Sequence, residues 1–375
     1  MPIRNEANHI EHVLDQLVHQ DYDHGRFEII VVDGVSTDGT PDLVTNYANR
    51  YANIRLFSNP HRLSSAARNI GICQSHGDVV LIVDGHCELE DDMLLCRLAK
   101  AFEGSGADCL GRPQPLDISQ TTPLQRAIAI ARSSRLGHHP DSFIYSKEER
   151  FVPAISVAVA YRRDIFEKVG YFDENFDACE DVEMNHRIDK AGLRCFFTYQ
   201  ITIRYHPRTS LTTLFHQLVR YGRGRMRLMR KHPETTSAGT FAPLVLLVWI
   251  CLSLALGSIS TTAAILGAST VGAYLSILII GAIVLAIRRA DGIFVVYLPI
   301  IWIVIHFSAA FGMFTEMVLG WFPSNRGKFS ESPASGAVDC GPLSDLTKIN
   351  RQNNPLNGAQ KHILPENSSN RCSTG

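Results

Sequence analysis

VVDGVSTDGT, Val31 to Thr40, is the stretch whose reading decides the fold. A largely apolar run, Phe27 to Val32, leads straight into Asp33. A turn of small and polar residues follows, and then a helix, with Thr40 or Asp38 placed to cap it. Asp33 therefore lies at the carboxyl end of a strand, where open α/β sheets bind ligands. With Ser36 beside it, a carboxylate there can accept hydrogen bonds from the base or ribose of a nucleotide. The plain alternative is an acidic strand-to-helix turn without a ligand.

Around this stretch the chain alternates. Ile10, Val13, Leu14, Leu17 and Val18 are spaced for one helix face. Helices are expected near Asp42–Tyr51, Ser64–Cys73 and Asp91–Phe102, and strands at Ile54–Phe57 and Asp78–Val83. That βαβα rhythm implies a parallel, doubly wound sheet. The second half is less regular: a strand at Ala154–Ala160, a helix from Asp181 to Lys190, strands near Arg194–Tyr205 and a long helix from Leu211 to Lys231. A buried apolar strand normally opens such a domain. Here Met1 to Glu6 reads as the loop after one, so the first strand is expected to be truncated.

Charge is distributed unevenly. The 375 residues carry a net charge of −1 and are 45% hydrophobic. Yet Thr235 to Ile287 contains no Asp, Glu, Lys or Arg. The soluble part, 1–232, is thus followed by a membrane part, 241–320. Its segments 241–259, 266–287 and 293–315 are each long enough to cross a hydrocarbon core of about 30 Å. The Ser- and Asn-rich tail 323–375 is expected to be disordered. Arg223 to Lys231 and Arg288-Arg289 should both lie in the cytoplasm, on the side of the catalytic domain. A near-neutral charge argues against nucleic acid as a partner. The polar start argues against a signal peptide, and nine scattered cysteines without a C-x-x-C fit a reducing compartment.

Three further motifs carry chemistry. The strand Val79–Val83 delivers Asp84-Gly85-His86 to the sheet edge, and carboxylate plus imidazole suits Mn²⁺ or Mg²⁺ shared with diphosphate oxygens. Otherwise Asp84 caps a helix and His86 is a surface residue. Glu180-Asp181-Val182-Glu183 opens a helix, either as a general base aimed into a cleft or as a dipole-favoured N-terminus. Gln217 and Arg220, with Tyr221, lie on adjacent turns of one helix and can face a common ligand. The arginines that follow, Arg223 to Arg230 with Lys231, suit anionic lipid headgroups.

In this order and spacing, the four motifs resemble family 2 glycosyltransferases of the GT-A fold, and more narrowly the succinoglycan-biosynthesis type of bacterial exopolysaccharide pathways, from about Pro2 to Trp321. Asn5-Glu6 and His206-Pro207-Arg208 fit that subgroup. The resemblance implies roles. Asp33, Ser36, Asn5, Glu6, Asp84, Gln217, Arg220 and Tyr221 would bind the nucleotide sugar. Asp84 and His86, with His206 as an extra ligand, would hold Mn or Mg. Asp181, beside Glu180, would be the catalytic base. His86 replaces the second aspartate of D-x-D, and Tyr221 the tryptophan of Q-x-x-R-W, which weakens any case for processive synthesis. The implied enzyme is a plasma-membrane, multi-pass, inverting transferase. It would move a sugar, glucose from UDP-glucose, to a lipid-linked saccharide, alongside membrane lipids and other polysaccharide-assembly proteins. The alternatives are a processive synthase, a polyprenyl-phosphate sugar transferase, or an inactive scaffold of an export assembly.

Overall fold

In a computed structural model of the chain, residues 1–119, 121–138 and 143–319 are described; the expected disordered tail lies outside them. In chain order the elements are β1 (Pro2–Ile3), α1 (Ile10–Val18), β2 (Ile29–Asp33), α2 (Thr40–Arg50), β3 (Ile54–Ser58), α3 (Ser64–Gln74), β4 (Val79–Leu81), β5 (Cys87–Leu89), α4 (Leu94–Ser105), β6 (Cys109–Gly111), α5 (Pro123–Ser133), β7 (Arg150–Val152), β8 (Ala158–Arg162), α6 (Asp164–Val169), α7 (Glu180–Lys190), β9 (Cys195–Phe197), β10 (Ile203–Tyr205), α8 (Leu211–Lys231), α9 (Ala238–Gly257), α10 (Thr261–Arg289) and α11 (Phe294–Leu319). The expected parallel sheet is found as β1-β2-β3, parallel throughout. The second half departs from it. A five-stranded sheet in the order β4-β8-β6-β9-β7 mixes directions, with only β6 and β9 parallel, and β5 pairs antiparallel with β10.

The N-terminus differs from expectation in an instructive way. Pro2 and Ile3 are strand, not loop, in register with Val32 and Asp33. They pair only with the carboxyl half of β2. Beside Ile29 and Ile30, and facing Val79 to Val83, lies a cavity of about 770 Å³ bordered by Leu98 and Phe102. The Met1 ammonium reaches into this space and donates to the Ile30 carbonyl at 2.8 Å. Burial lowers its pKa from 8.0 to about 5. Cys73 and Cys96 are disulfide-bonded, whereas the scattered cysteines read as thiols; Cys87, Cys109, Cys179, Cys195 and Cys251 are free.

Helices α9, α10 and α11 are each long and apolar enough to cross a membrane, but they are not equivalent. The most apolar stretch of α11 is 39% buried, against 11% and 17% for α9 and α10. α8 and α11 lie side by side at van der Waals contact. A Cβ on Gly222 would stand 2.2 Å from the Ala309 carbonyl oxygen, and one on Gly312 equally close to that of Val219, so only glycine permits the approach. At one end of α11, Asp291 stands 3.8 Å from Arg126 on α5. Midway, the buried Trp302 donates its indole N–H to Ser134 Oγ at 3.0 Å, and His306 Nε2 contacts the Leu136 carbonyl at 2.6 Å. At the other end, Glu316 receives Arg223 at 3.1 Å and Arg227 at 3.0 Å, and its carbonyl accepts from Arg230 at 2.7 Å. The arginine run expected to bind lipid headgroups is thus largely committed within the chain. Lys231 likewise pairs with Asp173 at 2.6 Å and Glu183 at 2.8 Å.

The cavity and the enclosed amine predict a pH-dependent stability. In the chain beginning at Met1, the folded state holds fewer protons than the unfolded state between pH 8 and 5, so stability falls as pH is lowered through that window. An extension of about five apolar residues, continuing β1 along Ile29 and Ile30, replaces the amine by a peptide group and fills the space. It is expected to raise Tm and to remove that pH slope. Thermal melts of both chains at pH 5 and pH 8 check this; identical curves would refute it.

Candidate active site

Two loops are laced together at the carboxyl edge of the parallel strands. Asn5, left-handed at φ 56°, donates its N–H to Ser36 Oγ at 2.8 Å, and its side-chain oxygen accepts from Thr37 N at 2.9 Å. Glu6 N donates to Thr40 Oγ1 at 2.9 Å, and Ala7 N to Asp38 at 3.0 Å. Asp33 is buried, and both of its oxygens are met by Ser36, through Oγ at 2.5 Å and N at 3.0 Å. The lacing uses polar atoms that would otherwise be stranded at the ends of β1 and β2. It also fixes Asn5, Ser36 and Asp33 as a rim, not as freely projecting groups.

Glu6 then crosses to the next loop. Its Oε1 lies 2.8 Å from His86 Nδ1 and raises the pKa of that imidazole. Its side chain packs over Gly85, where a Cβ would stand 3.0 Å from Glu6 Cγ and 2.9 Å from Ile3. With Nδ1 held by a carboxylate, His86 has Nε2 left for a ligand, the arrangement that orients metal-binding histidines. Asp84 is half-buried, and among the described residues its carboxylate has no hydrogen bond. This donor pair fits a divalent metal. The third expected ligand does not join them. Asp84, His86 and His206 are not among the described groups whose ligand atoms converge within 4.8 Å. His206 is exposed and stacks on His9, with ring centroids 5.4 Å apart, which holds it away.

The centre of the site is a residue that the motifs did not point to. Arg68 on α3 is mostly enclosed, with its side chain 12% exposed, 3.2 Å from Glu180 Oε1, and feels the charges of Glu180, Asp181 and Asp84. Burial alone would lower its pKa; the three carboxylates outweigh that and raise it, so Arg68 stays charged. Its guanidinium also stands 5.3 Å from the Phe172 ring centroid. Only a faint signal existed in the sequence: a run of small residues, Ser64 to Ala67, lets α3 approach closely and carries one cation inward.

Glu180 and Asp181, adjacent in sequence, part company in space. Glu180 is buried, and burial pushes its carboxyl above the usual range despite Arg68. Asp181 is half-buried at the first turn of α7, with one oxygen accepting from Val182 N at 2.8 Å. Gln217 and Arg220 do not share a target in this structure. Arg220 donates to the Asp177 carbonyl at 2.7 Å, whereas Gln217 accepts from Arg208 at 3.1 Å and donates to the Tyr221 hydroxyl at 3.4 Å. Tyr221 is 41% exposed, so its ring offers a surface beside this cluster.

The chain is similar to known proteins in sequence and in fold. The profile of Glycosyl transferase family 2 matches residues 1–170. The succinoglycan biosynthesis protein ExoA of Rhizobium meliloti is 30% identical over 250 residues, 65% of this chain and 73% of that protein. A dolichyl N-acetyl-α-D-glucosaminyl phosphate 3-β-D-2,3-diacetamido-2,3-dideoxy-β-D-glucuronosyltransferase of Methanococcus voltae is 26% identical over 327 residues, 85% of this chain and 96% of that protein. Among solved structures, a mannosyltransferase of Pyrobaculum calidifontis in complex with GDP-Man and Mn²⁺ superposes with a TM-score of 0.54 at 19% identity, covering 84% of this chain and 85% of that one. It shares the fold.

Arg68→Met tests the electrostatic centre. Removing the cation leaves three carboxylates together without their counter-charge. The expected cost is about 3 kcal/mol at neutral pH. Glu180, which loses the charge that favours its ionised form, then holds its proton more tightly, so the cost should shrink as pH falls toward 4. Urea unfolding of the detergent-solubilised variant at the two pH values checks it; an equal loss at both would show that packing, not charge, is the role of Arg68.

Proposed function

This chain belongs to the family 2 glycosyltransferases, and from that premise we propose that it is a membrane-bound, inverting transferase. It moves a hexose, glucose from UDP-glucose in the favoured reading, onto a lipid-linked saccharide in exopolysaccharide assembly. The carrying observation is Arg68 set 3.2 Å from Glu180 at the start of α7, with its charge acting on Asp181 and Asp84 as well. The choice of substrate leans on the name of the Rhizobium meliloti relative.

In this reading, the nucleotide lies along the rim made by Asn5, Ser36 and Asp33. Asp84 and His86 hold Mn²⁺ or Mg²⁺, which when bound supplies a counter-charge for the diphosphate. Asp181, the more open carboxylate, takes the proton of an acceptor hydroxyl. That oxygen forms its bond to the anomeric carbon as the bond to the diphosphate breaks on the opposite face, which inverts the centre. Glu180 does not exchange protons with substrate; paired with Arg68, it positions the start of α7. Gln217, Arg220 and Tyr221 border the donor, and Arg220 reaches diphosphate oxygens once released from Asp177.

The two carboxylates can be separated by substitution. Asp181→Asn keeps shape and most of the helix-capping character. It is expected to lower the transfer rate by about 100-fold or more, with donor binding nearly intact. Asp84→Ala should instead lose donor binding. Transfer of radiolabelled sugar and equilibrium nucleotide binding, measured side by side, check both; near-normal turnover by the Asp181 variant would remove it as base.

For the membrane part, we propose that α9 and α10 cross as a hairpin while α11 stays on the cytoplasmic face of the catalytic domain. A spanning helix leaves that domain at one end at least, whereas α11 is tied to it through Asp291, Trp302 and Glu316. Arg288 and Arg289 then return to the cytoplasm, as the positive-inside rule favours. Alkaline phosphatase fused after Gly375 is expected to be inactive, and fused between α9 and α10 to be active. An active fusion after Gly375 would mean that α11 crosses.

A further inference from the structure

A second cluster of ionisable side chains stands apart from the carboxylate centre, where the chain leaves α8 for the membrane. His186 lies on α7, and His232 and Glu234 lie in the turn between α8 and α9. One ligand atom from each converges within 4.8 Å of the other two. His186 Nε2 is 3.0 Å from Glu234 Oε1, and His232 Nδ1 is 3.9 Å from the same oxygen. Ligand atoms around a tetrahedral Zn²⁺ stand about 3.3 Å apart, so these separations bracket the required spacing.

The surroundings complete the geometry. His232 Nε2 lies 3.0 Å from Oε1 of Glu183, whose side chain is fully buried and is itself held by Arg187 at 2.9 Å and Lys231 at 2.8 Å. A carboxylate so fixed keeps the proton on Nε2 and turns the Nδ1 lone pair toward His186 and Glu234. Metal-bound histidines are oriented in this way. Both imidazoles are 13% exposed and Glu234 is 47% exposed, so the cluster is walled on the protein side and open to solvent on one flank.

We infer that His186, His232 and Glu234 form a binding site for a divalent transition metal of the Zn²⁺ class, separate from Asp84 and His86. Two nitrogens and one oxygen select Zn²⁺ or Co²⁺ over the harder Mg²⁺ and Ca²⁺. Without metal, the cluster closes as an ion pair, with Lys190 at 3.2 Å from Glu234. With metal, α7 is clamped to the entrance of α9. Asp181 stands on the first turn of that helix, so the clamp would fix the catalytic helix relative to the membrane anchor.

The test uses the full chain in detergent, titrated with Co²⁺. Wild type is expected to develop the intense visible bands of tetrahedral Co²⁺ at one equivalent, and His232→Ala and Glu234→Gln to lose them. Glu234 is half-exposed, so its Gln variant keeps the fold. In parallel, Zn²⁺ should raise the Tm of wild type and of Asp84→Ala, but not of Glu234→Gln. Absence of the bands in wild type, their survival in both variants, or a Zn²⁺ effect that depends on Asp84 and not on Glu234 would overturn the assignment and leave only an ion-pair cluster.

Discussion

One mostly enclosed cation, Arg68, governs the site. Asp84, Glu180 and Asp181 come from segments far apart in sequence, and all three act on the charge of Arg68; like charges brought into one region away from bulk water repel. Arg68 makes their approach tolerable. It arrives on α3, a helix whose first turns are small residues, Ser64 to Ala67, and can therefore sit close against the sheet. Ser65 and Asn69 of the same helix bond to the Phe176 and Phe172 carbonyls, which ties α3 to the loop running into α7. The helix that carries the cation thus also sets where α7 begins, and Glu180 and Asp181 follow from that.

A second constraint joins this centre to the apolar helices. α8 has to approach α11 closely enough for Gly222 and Gly312 to meet backbone, and the approach brings Glu316 among Arg223, Arg227 and Arg230. Arg227 also pairs with Asp177 at 2.6 Å, three residues before Glu180. A displacement of α11 is therefore felt at the loop entering α7. Isolated surface ion pairs contribute little, but here several share one buried glutamate at a glycine seam, so geometry and charge restrain the same joint.

Much of this was legible in the sequence where the signals are local. α8 runs from Leu211 to Lys231 as the periodicity implies, because a capping box of Ser210 and Thr213 adds a start signal to a strong apolar stripe. Where long-range contacts decide, local patterns fail. Ala154–Ala160 reads as one strand, yet the Asp189 carboxylate caps the N–H groups of Ala154 and Ile155 at 2.6 and 2.9 Å and turns Ala154–Ser156 into a 3-10 helix, leaving β8 to begin at Ala158. The helix expected from Asp91 starts at Leu94, since Asp91 is spent on Met93 N and Arg97. α5, where no helix is expected, carries a readable start signal in its Thr122–Gln125 capping box with Pro123 behind it. His206 reads as a ligand by position in the chain, and only the fold reveals its stacking on His9. Arg68 belongs to no motif, because its role is defined by what converges on it.

The cavity lies mainly beside the amino half of β2, yet it reaches the site, because Arg68 lines it and also meets Glu180. The parallel strands deliver their ligands at their carboxyl ends, where Pro2 and Ile3 pair with Val32 and Asp33 and where Asn5 and Glu6 lace onto the Ser36–Thr40 turn. The 770 Å³ space borders Ile29 and Ile30, at the other end of β2. Two paired residues suffice to place the loop that follows them, because the lacing bonds beyond Ile3 carry the register. β3 pairs with β2 along its whole length, and all five β2 residues are buried, but on its other edge β1 pairs only with Val32 and Asp33. Beyond Ile3 the lacing also carries Glu6 across to the next loop, where it meets His86 at 2.8 Å.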